Sequence, residues 1–143
     1  MNGILVVCVG NICRSPMAQG LLANALPAVA VTSAGTNALV GVAADATARK
    51  LMHMRGIDIE GHRARQVTRS MCLQADLVLT MDTDQRRYLE DAYPNVCGKV
   101  FRLGEHAKRD IADPYRMPEE AFLDALALIE DGVHEWLHRI KKL

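Results

Sequence analysis

The segment Cys8-Val-Gly-Asn-Ile-Cys-Arg-Ser15 lies between an apolar run and a helix start, and it restricts the possible folds more than any other part of the chain. The preceding run, Gly3-Ile-Leu-Val-Val7, is typical of a strand buried in a parallel sheet. Ser15 and Pro16 are residue types that favour the N-cap and the first position of a helix. The segment, hereafter the Cys8–Ser15 loop, is therefore predicted to join a strand to a helix, where α/β folds bind anions.

Cys8 and Arg14 are the residues of this loop that can do chemistry. Backbone N–H groups near a helix N-terminus and a permanent guanidinium charge both stabilise a thiolate, so Cys8 is predicted to be a nucleophile. The same N–H groups suit a tetrahedral dianion, and Arg14 can bind two of its oxygens at once. The predicted reaction is thiolate attack on phosphorus.

Three further residues of the loop suit that reaction. Gly10 permits close backbone approach, Asn11 tolerates a left-handed backbone, and the Ser15 hydroxyl can donate a hydrogen bond to the departing sulfur. The alternative is that Cys8 is an ordinary core residue and Arg14 a solvated charge in the first helical turn. The preceding strand, the internal Gly-Asn and the Ser-Pro pair together favour the catalytic interpretation.

Strand and helix patterns alternate along the rest of the chain, without repeats or linkers. Strands are predicted at 3–8, 29–33, 76–80 and 100–103, and helices at 16–26, 45–55, 82–92 and after 118, with a helical turn near 67–72. The last helix has an apolar stripe that we expect to be core: Phe122, Leu126, Ile129, Val133, Trp136, Leu137 and Ile140. This pattern predicts one α/β domain, residues 1–143, with a four-stranded parallel sheet flanked by helices on both faces and the anion-binding loop after the first strand.

The Cys8–Ser15 loop followed by Pro16 resembles the signature loop of the low-molecular-weight protein tyrosine phosphatases. The resemblance extends over essentially the whole chain, through four motifs in the order of that family: Thr32-Ser-Ala-Gly-Thr36, Gly61-His-Arg-Ala-Arg-Gln66, Leu79-Thr-Met-Asp82 and Asp113-Pro-Tyr115. It implies hydrolysis of phosphotyrosine through a phosphocysteine intermediate, without a metal or organic cofactor. The sequence is also similar to bacterial members linked to exopolysaccharide or capsule export, which implies a phosphotyrosine protein as substrate and a bacterial tyrosine autokinase as a candidate partner.

The Cys8–Ser15 loop lacks a proton donor, and Asp113 is the predicted general acid and then general base. Pro114 restricts Asp113 to an extended conformation, and Tyr115 offers an aromatic wall for a phenyl ring. On its own, Asp-Pro-Tyr would more often mark an ordinary turn. The matching aspartate is the general acid in the family, so the resemblance gives that role to Asp113.

The resemblance also implies the remaining site residues. Those expected to bind substrate are Val9, Gly10, Asn11, Ile12, Cys13, Ser15, Leu39 and Tyr115. Leu39 stands where many members of the family carry an aromatic residue. Ser33 and His62 are expected to join Asn11 and Ser15 in a hydrogen-bond network that holds the loop in a strained shape.

The four cysteines, Cys8, Cys13, Cys72 and Cys97, favour a reducing compartment. No CxxC pair is present and the histidines do not lie near the cysteines at zinc spacings, so no metal site is expected. Cys13 either resolves an oxidised Cys8 as a disulfide or simply packs the loop. An arsenate reductase, which shares this loop and fold, would need a relay of two further cysteines, but Cys72 and Cys97 are far apart in sequence.

Composition argues against other classes of protein. Lys+Arg and Asp+Glu balance at 17 each and aromatic residues are only 4%, so neither a nucleic-acid surface nor an amphipathic membrane helix is predicted. Residues 3–9 are too few for the apolar part of a signal peptide, and no stretch approaches the roughly 20 residues of a membrane span. A cytoplasmic location without membrane insertion is expected.

A non-catalytic phosphotyrosine-binding protein is the alternative from a different class. Such a protein would keep Arg14 and the backbone N–H groups and would not need a nucleophile or an acid. The presence of Cys8, Arg14 and Asp113 together favours the enzyme.

Overall fold

The structure, a computed structural model, describes residues 1–142. Within these residues the elements follow in the order β1 (Gly3–Cys8), α1 (Arg14–Ala25), β2 (Ala30–Gly35), α2 (Ala46–His53), α3 (Arg69–Gln74), β3 (Leu77–Thr80), α4 (Thr83–Ala92), β4 (Val100–Arg102) and α5 (Glu119–Ile140). A 3-10 helical segment, Pro94–Lys99, precedes β4. The four strands are parallel in the order β2-β1-β3-β4, which confirms the predicted α/β fold.

Both faces of the sheet are buried, as the continuous apolar sequence of β1 indicates. Ile4, Val6 and Cys8 belong to the core under α1, α2 and α5, whereas Leu5 and Val7 belong to the core under α3 and α4. This division follows from the alternation of side chains along a strand. No helix within residues 1–142 is both long and apolar enough to span a membrane.

The strand order places the Cys8–Ser15 loop at the centre of one edge of the sheet. β1 lies between β2 and β3, so the connections that follow β1 and β3 run in opposite directions across the sheet. In open α/β sheets, ligands bind in the crevice at such a point, outside the carboxyl ends of the strands. The loop after β4 reaches the same edge, because Leu103 N donates to Thr80 O at 2.7 Å and Ile111 N donates to Met81 O at 2.9 Å. These bonds bring the segment that contains Asp113 over the end of the sheet.

The prediction that Ser15 and Pro16 are the N-cap and first residue of a helix is wrong. α1 begins at Arg14, with Cys13 at the N-cap and no side-chain hydrogen bond to the cap. The Ser15 hydroxyl instead contacts Cys8 Sγ at 2.9 Å and accepts a hydrogen bond from Asn11 at 2.7 Å. The hydroxyl is therefore used by the loop and not by the end of the helix.

Other boundaries move by a few residues for local reasons. β2 continues to Gly35 because the parallel pairing with β1 extends to its partner Cys8. α3 begins at Arg69 because the Thr68 hydroxyl caps it by accepting a hydrogen bond from Met71 N. The apolar stripe of α5 is confirmed as core: Phe122, Leu126, Ile129, Val133 and Trp136 are buried, and Leu137 and Ile140 are half-buried against them.

Candidate active site

A cavity of about 170 Å³ opens at the carboxyl end of β1. Its lining comes from three separate segments of the chain: Cys8, Val9, Gly10, Ile12, Cys13 and Arg14, then Asn37 and Leu39, then Asp113 and Tyr115. The predicted catalytic residues and most of the predicted substrate-binding residues therefore meet in one place. Two other residues of the loop, Asn11 and Ser15, do not line the cavity and are hydrogen-bonded to each other. Ser33 and His62 contact Asn11 from outside the loop.

The Cys8 sulfur receives hydrogen bonds from its own loop. Asn11 N donates to Sγ at 3.3 Å, and Ser15 Oγ lies 2.9 Å from it. The orientation of the Ser15 hydroxyl follows from its other contact, because Asn11 Nδ2 donates to the same oxygen at 2.7 Å. The Ser15 hydrogen is then free to point at the sulfur. Two donors directed at sulfur stabilise its negatively charged form.

The Asn11 side chain connects the sulfur to the rest of the domain. Its Oδ1 accepts a hydrogen bond from Arg65 N at 2.9 Å, which leaves Nδ2 to donate to Ser15 Oγ and, at 3.0 Å, to Ser33 Oγ. Ser33 Oγ in turn donates to Gln19 Oε1 at 2.6 Å. The hydroxyls of Ser15 and Ser33 each accept one hydrogen bond from Asn11 and donate another, so donor and acceptor are defined for every hydrogen bond in the network. Because it is buried and fully paired, it holds the loop rigidly.

A residue outside the loop stabilises the strained backbone of Asn11. Asn11 has a φ of +60°, a left-handed conformation that costs energy for a residue with a side chain. The His62 ring donates from Nε2 to Asn11 O at 2.6 Å. The predicted contact of Ser33 and His62 with the loop is thus observed. Sequence reasoning did not identify Gln19 and Arg65 as members of the network.

Arg14 is almost fully buried, with 2% of its surface exposed. One terminal nitrogen donates to Ile111 O at 2.8 Å and lies 3.5 Å from the Asp82 carboxylate, and the other lies 3.5 Å from the Asp113 carboxylate. Among the described residues, Arg14 Nε is buried without a hydrogen-bond partner. These contacts fix the plane of the guanidinium and leave a charged donor for an anion on the loop.

Asp113 and Tyr115 are held together by the loop that precedes α5. Tyr115 N donates to Asp113 Oδ1 at 3.1 Å, while Asp113 Oδ2 is the atom nearest to Arg14. Leu39 approaches the cavity from another loop, which is fixed by a hydrogen bond from Leu39 N to Gly10 O at 3.1 Å. Thus an acid, an aromatic wall and an aliphatic wall surround the space above the Cys8 sulfur.

Residues 3–143 match the family model of the low molecular weight phosphotyrosine protein phosphatases. The chain belongs to this family. It is 54% identical over 140 residues to a probable low molecular weight protein-tyrosine-phosphatase, EpsP, of Ralstonia solanacearum, with 98% of this chain and 97% of EpsP covered. The predicted family and the predicted enzyme class, a protein-tyrosine-phosphatase, are confirmed.

Solved structures of similar proteins agree with the fold of this phosphatase. Vibrio vulnificus Wzb in complex with benzylphosphonate is 40% identical, with a TM-score of 0.92 and 99% of both chains covered. The YwlE arginine phosphatase of Geobacillus stearothermophilus is 33% identical, with a TM-score of 0.93 and coverage of 99% of this chain and 94% of that one. Proteins with this fold thus include one named for arginine phosphatase activity.

Cys13 is the second thiol of this phosphatase at the cavity. Burial raises its pKa, and the nearby Asp45, Asp113 and Cys8 act in the same direction against Arg14. Cys13 is therefore a neutral thiol at physiological pH. All four cysteines are free. The resolving role of Cys13 toward an oxidised Cys8 stays a prediction.

Within residues 1–142 no cluster of three or more His, Cys, Asp or Glu side chains is arranged to hold a metal ion.

His62 links the loop of this phosphatase to pH. Burial lowers the pKa of His62 below its ordinary 6.5, and Arg63 and Arg65 lower it further, whereas the hydrogen bond to Asn11 opposes the shift. As the pH falls, the unfolded chain therefore binds a proton at this position before the folded chain does. Its contribution to stability is complete above about pH 6.5 and is lost as the pH falls through the folded pKa.

Between pH 7.5 and pH 5.5, the slope of the free energy of unfolding against pH reports how many protons the chain binds when it unfolds. We expect His62→Gln to lower this number by up to one proton. The glutamine amide can still donate to Asn11 O, but it does not titrate. Thermal melting across this pH range measures the effect. His53→Gln, at an exposed position on α2, is the control for the removal of one imidazole. The same slope of melting temperature against pH in His62→Gln and in the wild type would contradict the contribution of His62 to the pH dependence.

Gly35 at the end of β2 allows the loop of this phosphatase to pack closely. A Cβ at Gly35 would overlap Val9 O and lie 3.1 Å from the side chains of Ala38 and Asn11. Because Val9 O is a backbone atom, the Cys8–Ser15 loop itself would have to move.

We expect Gly35→Ala to lower kcat/KM by more than about tenfold and to destabilise the fold by about 1–3 kcal/mol. Kinetics on an aryl phosphate and thermal melting measure the two effects. Gly98→Ala is the matched control, because a Cβ at Gly98 would meet no atom within 4 Å. Full activity in Gly35→Ala would show that the loop position is not critical.

Proposed function

We propose that residues 1–143 form one domain that hydrolyses phosphotyrosine on a protein substrate, with Cys8 as the nucleophile, Arg14 as the phosphate clamp and Asp113 as the general acid and base. One observation carries these roles. In a single cavity the Cys8 sulfur accepts two hydrogen bonds, Arg14 Nε lies buried without a partner, and the Asp113 carboxylate stands 3.5 Å from the Arg14 guanidinium. These contacts support a nucleophile, an anion site and an acid that act in one reaction.

In the first step, the Cys8 thiolate attacks phosphorus and the bond between phosphorus and the tyrosine oxygen breaks. Asp113, as the carboxylic acid, gives its proton to that oxygen, so the leaving group departs as a neutral phenol. Arg14 and the backbone N–H groups of the loop bind the phosphoryl oxygens, whose negative charge is spread in the transition state. The product of this step is phosphocysteine on Cys8.

In the second step, Asp113 is a carboxylate and takes a proton from a water molecule that attacks the phosphocysteine. The bond between sulfur and phosphorus breaks, and inorganic phosphate leaves. Sulfur recovers a negative charge, which the hydrogen bonds from Ser15 Oγ and Asn11 N stabilise. The enzyme returns to its starting state with the Asp113 proton restored.

The cavity walls support an aryl phosphate as the substrate. Ile12, Leu39 and Tyr115 present apolar surface around the loop, and a planar ring can pack between such walls while its phosphate reaches Arg14. A phosphoserine has a short arm that would keep its phosphate away from the cavity floor. Phosphoarginine belongs in the test, because one protein of this fold is named an arginine phosphatase.

The physiological partner in this proposal is a bacterial tyrosine autokinase or a related exopolysaccharide-export protein. Support comes from the sequence resemblance to exopolysaccharide-linked phosphatases and from 54% identity to EpsP. The proposed location is the cytoplasm, because a nucleophilic thiol beside a second free thiol needs a reducing compartment.

The structure weakens the arsenate reductase alternative. Cys8 and Cys72 belong to cores on opposite faces of the sheet, and Cys97 is exposed. No short disulfide relay connects these positions. The phosphotyrosine-binding alternative predicts binding without turnover.

Hydrolysis of matched phosphotyrosine, phosphoserine and phosphoarginine peptides tests the proposal, under reducing conditions and with a chelator present. We expect turnover of the phosphotyrosine peptide alone, at a rate that the chelator does not change. Preference for the phosphoarginine peptide would overturn the substrate class but keep the mechanism. Binding of the phosphotyrosine peptide without release of phosphate would identify a binding protein instead.

A further inference from the structure

Two tight turns flank the mouth of the cavity. The first turn spans Leu39 to Val42 and is closed by a hydrogen bond from Val42 N to Leu39 O at 3.0 Å. Its third residue, Gly41, has a φ of +83°, as a type II turn requires at that position. Gly41 N also donates to Ala64 O at 2.8 Å, and Leu39 N donates to Gly10 O. The turn is therefore fixed to the Cys8–Ser15 loop at one end and to the body of the domain at the other.

The second turn has the same form. It spans Pro114 to Met117, with a hydrogen bond from Met117 N to Pro114 O at 2.9 Å. Its third residue, Arg116, has a φ of +61°, and the Arg116 guanidinium carbon lies 5.1 Å from the centre of the Tyr115 ring. This contact is a cation–π interaction that holds the ring at the cavity mouth. Each turn thus contributes one wall of the cavity, Leu39 or Tyr115.

Both turns also expose apolar side chains that do not line the cavity. Val40, Val42 and Met117, hereafter the apolar rim, are 69%, 46% and 56% exposed, and none belongs to a core cluster. Turn positions usually favour glycine, proline and small polar residues, so local structure does not explain valine beside Gly41. A group of exposed apolar side chains around a binding cavity is typical of an interaction surface.

We infer that the apolar rim binds apolar side chains of the substrate segment immediately before and after the phosphotyrosine. This inference rests on the proposed function. An extended peptide advances about 3.3 Å per residue, so the side chains one and two positions away from a phosphotyrosine in the cavity lie above the two turns. The rim residues share their two turns with Leu39 and Tyr115, which line the cavity.

The charges around the rim also favour an apolar partner. The turn Leu39-Val-Gly-Val42 has no charged side chain. Arg63 and Arg65 flank Ala64, which is hydrogen-bonded to this turn, but their guanidinium groups donate to the backbone carbonyls of Glu60, His62 and Ser33. On the other side, the Arg116 guanidinium is directed over the Tyr115 ring. Burial of one or two aliphatic side chains against Val40, Val42 and Met117 supplies binding energy that a small aryl phosphate cannot use.

Two phosphotyrosine peptides test this inference, one with leucine and valine flanks and one with glycine and serine flanks. For the wild-type enzyme we expect kcat/KM to be about tenfold higher on the peptide with apolar flanks. Val40→Asp, Val42→Asp and Met117→Asp should each remove most of that preference, while kcat/KM for p-nitrophenyl phosphate should stay within about twofold of wild type. Leu73→Asp is the matched control, because Leu73 has the same 46% exposure as Val42 and lies on α3, away from the cavity.

Val40→Thr keeps the inference testable if an aspartate variant fails to fold, because it keeps the shape of valine and replaces one methyl group with a hydroxyl. It should lower the preference for apolar flanks by about two- to threefold.

Several outcomes would overturn the inference. Equal kcat/KM on the two peptides with the wild-type enzyme would show that the rim does not contact substrate. Equal losses on the peptides and on p-nitrophenyl phosphate would show that the turns only support the cavity. Sedimentation that shows a wild-type dimer and a Val40→Asp monomer would assign the rim to a second copy of the chain. Failure to cleave either peptide would instead overturn the proposed function.

Discussion

We expect Cys8→Ser to reduce turnover of a phosphotyrosine peptide by about 10⁴-fold or more. The serine hydroxyl is far less acidic than a thiol and would need a general base, and the only base assigned at the site, Asp113, acts on the leaving group and the water. The change leaves Arg14 and the backbone N–H groups of the loop in place, so binding of the phosphopeptide should persist. The Ser15 hydroxyl and Asn11 N can still donate to an oxygen at the Cys8 position. Single-turnover kinetics and calorimetric titration of the phosphopeptide separate the two effects.

The control for this experiment is Cys97→Ser, which changes an exposed thiol near the 3-10 helical segment. It should retain full activity. Turnover in Cys8→Ser within about tenfold of wild type would contradict the role of Cys8. Loss of phosphopeptide binding together with turnover would show that the variant disturbs the anion site and does not only remove the nucleophile.

The second large effect is expected from Asp113→Asn. Asparagine cannot give a proton to the leaving oxygen, so substrates with a basic leaving group should suffer most. We expect a loss in kcat/KM, which reports the first step only, of about 10²–10³-fold on phenyl phosphate and on a phosphotyrosine peptide, but less than about tenfold on an activated substrate such as p-nitrophenyl phosphate. The slope of log kcat/KM against the pKa of the leaving group measures this difference. It should be steep in the variant and shallow in the wild type.

Asp124→Asn provides the matched control, because Asp124 is an exposed aspartate on α5. It should leave the leaving-group dependence unchanged. Equal losses in kcat/KM on activated and unactivated substrates in Asp113→Asn would contradict the assignment of Asp113 as the acid. Such a result would mean that the contact between Asp113 and Arg14 only positions the guanidinium.

Arg14 illustrates how this site combines rigidity with charge. A buried guanidinium is stable only when its charge is paired, and here Asp82 and Asp113 approach it from two sides. The Ile111 carbonyl fixes the orientation of the guanidinium. The fold thus pairs the buried charge and holds it at the cavity where we propose that a phosphate binds. Asp82 contributes to this arrangement although sequence reasoning recognised it only as part of a family motif.

The local part of the site was predictable from the sequence because its residues are close together in the chain. Cys8, Asn11, Arg14 and Ser15 lie within one strand-to-helix connection, so their spacing alone restricts which of them can meet. In the structure, Asn11 N and Ser15 Oγ both lie within hydrogen-bond distance of the Cys8 sulfur. The exact start of α1 was not predictable, because the Ser15 hydroxyl had two competing uses and the loop contact was the one formed.

Residues from distant parts of the chain were harder to identify. Asp113 and Tyr115 were found through a motif, and Ser33 and His62 only through the family resemblance. Gln19 and Arg65 were missed. Gln19 contributes an amide oxygen, and Arg65 contributes a backbone N–H, which any residue type would supply. Backbone contacts of this kind leave no signal in the sequence.

The sequence by itself determined the fold class through its periodicity and the family through its motifs. Residue types at short spacing predicted the chemistry at Cys8 and Arg14. Only the tertiary structure decided which groups surround that chemistry. The crossover connections bring Arg65, Asp82 and Ile111 to the end of β1, and the two turns at the cavity mouth expose Val40 and Met117 beside it. These positions depend on how strands pair and loops close over long separations, and no local pattern of side chains encodes them.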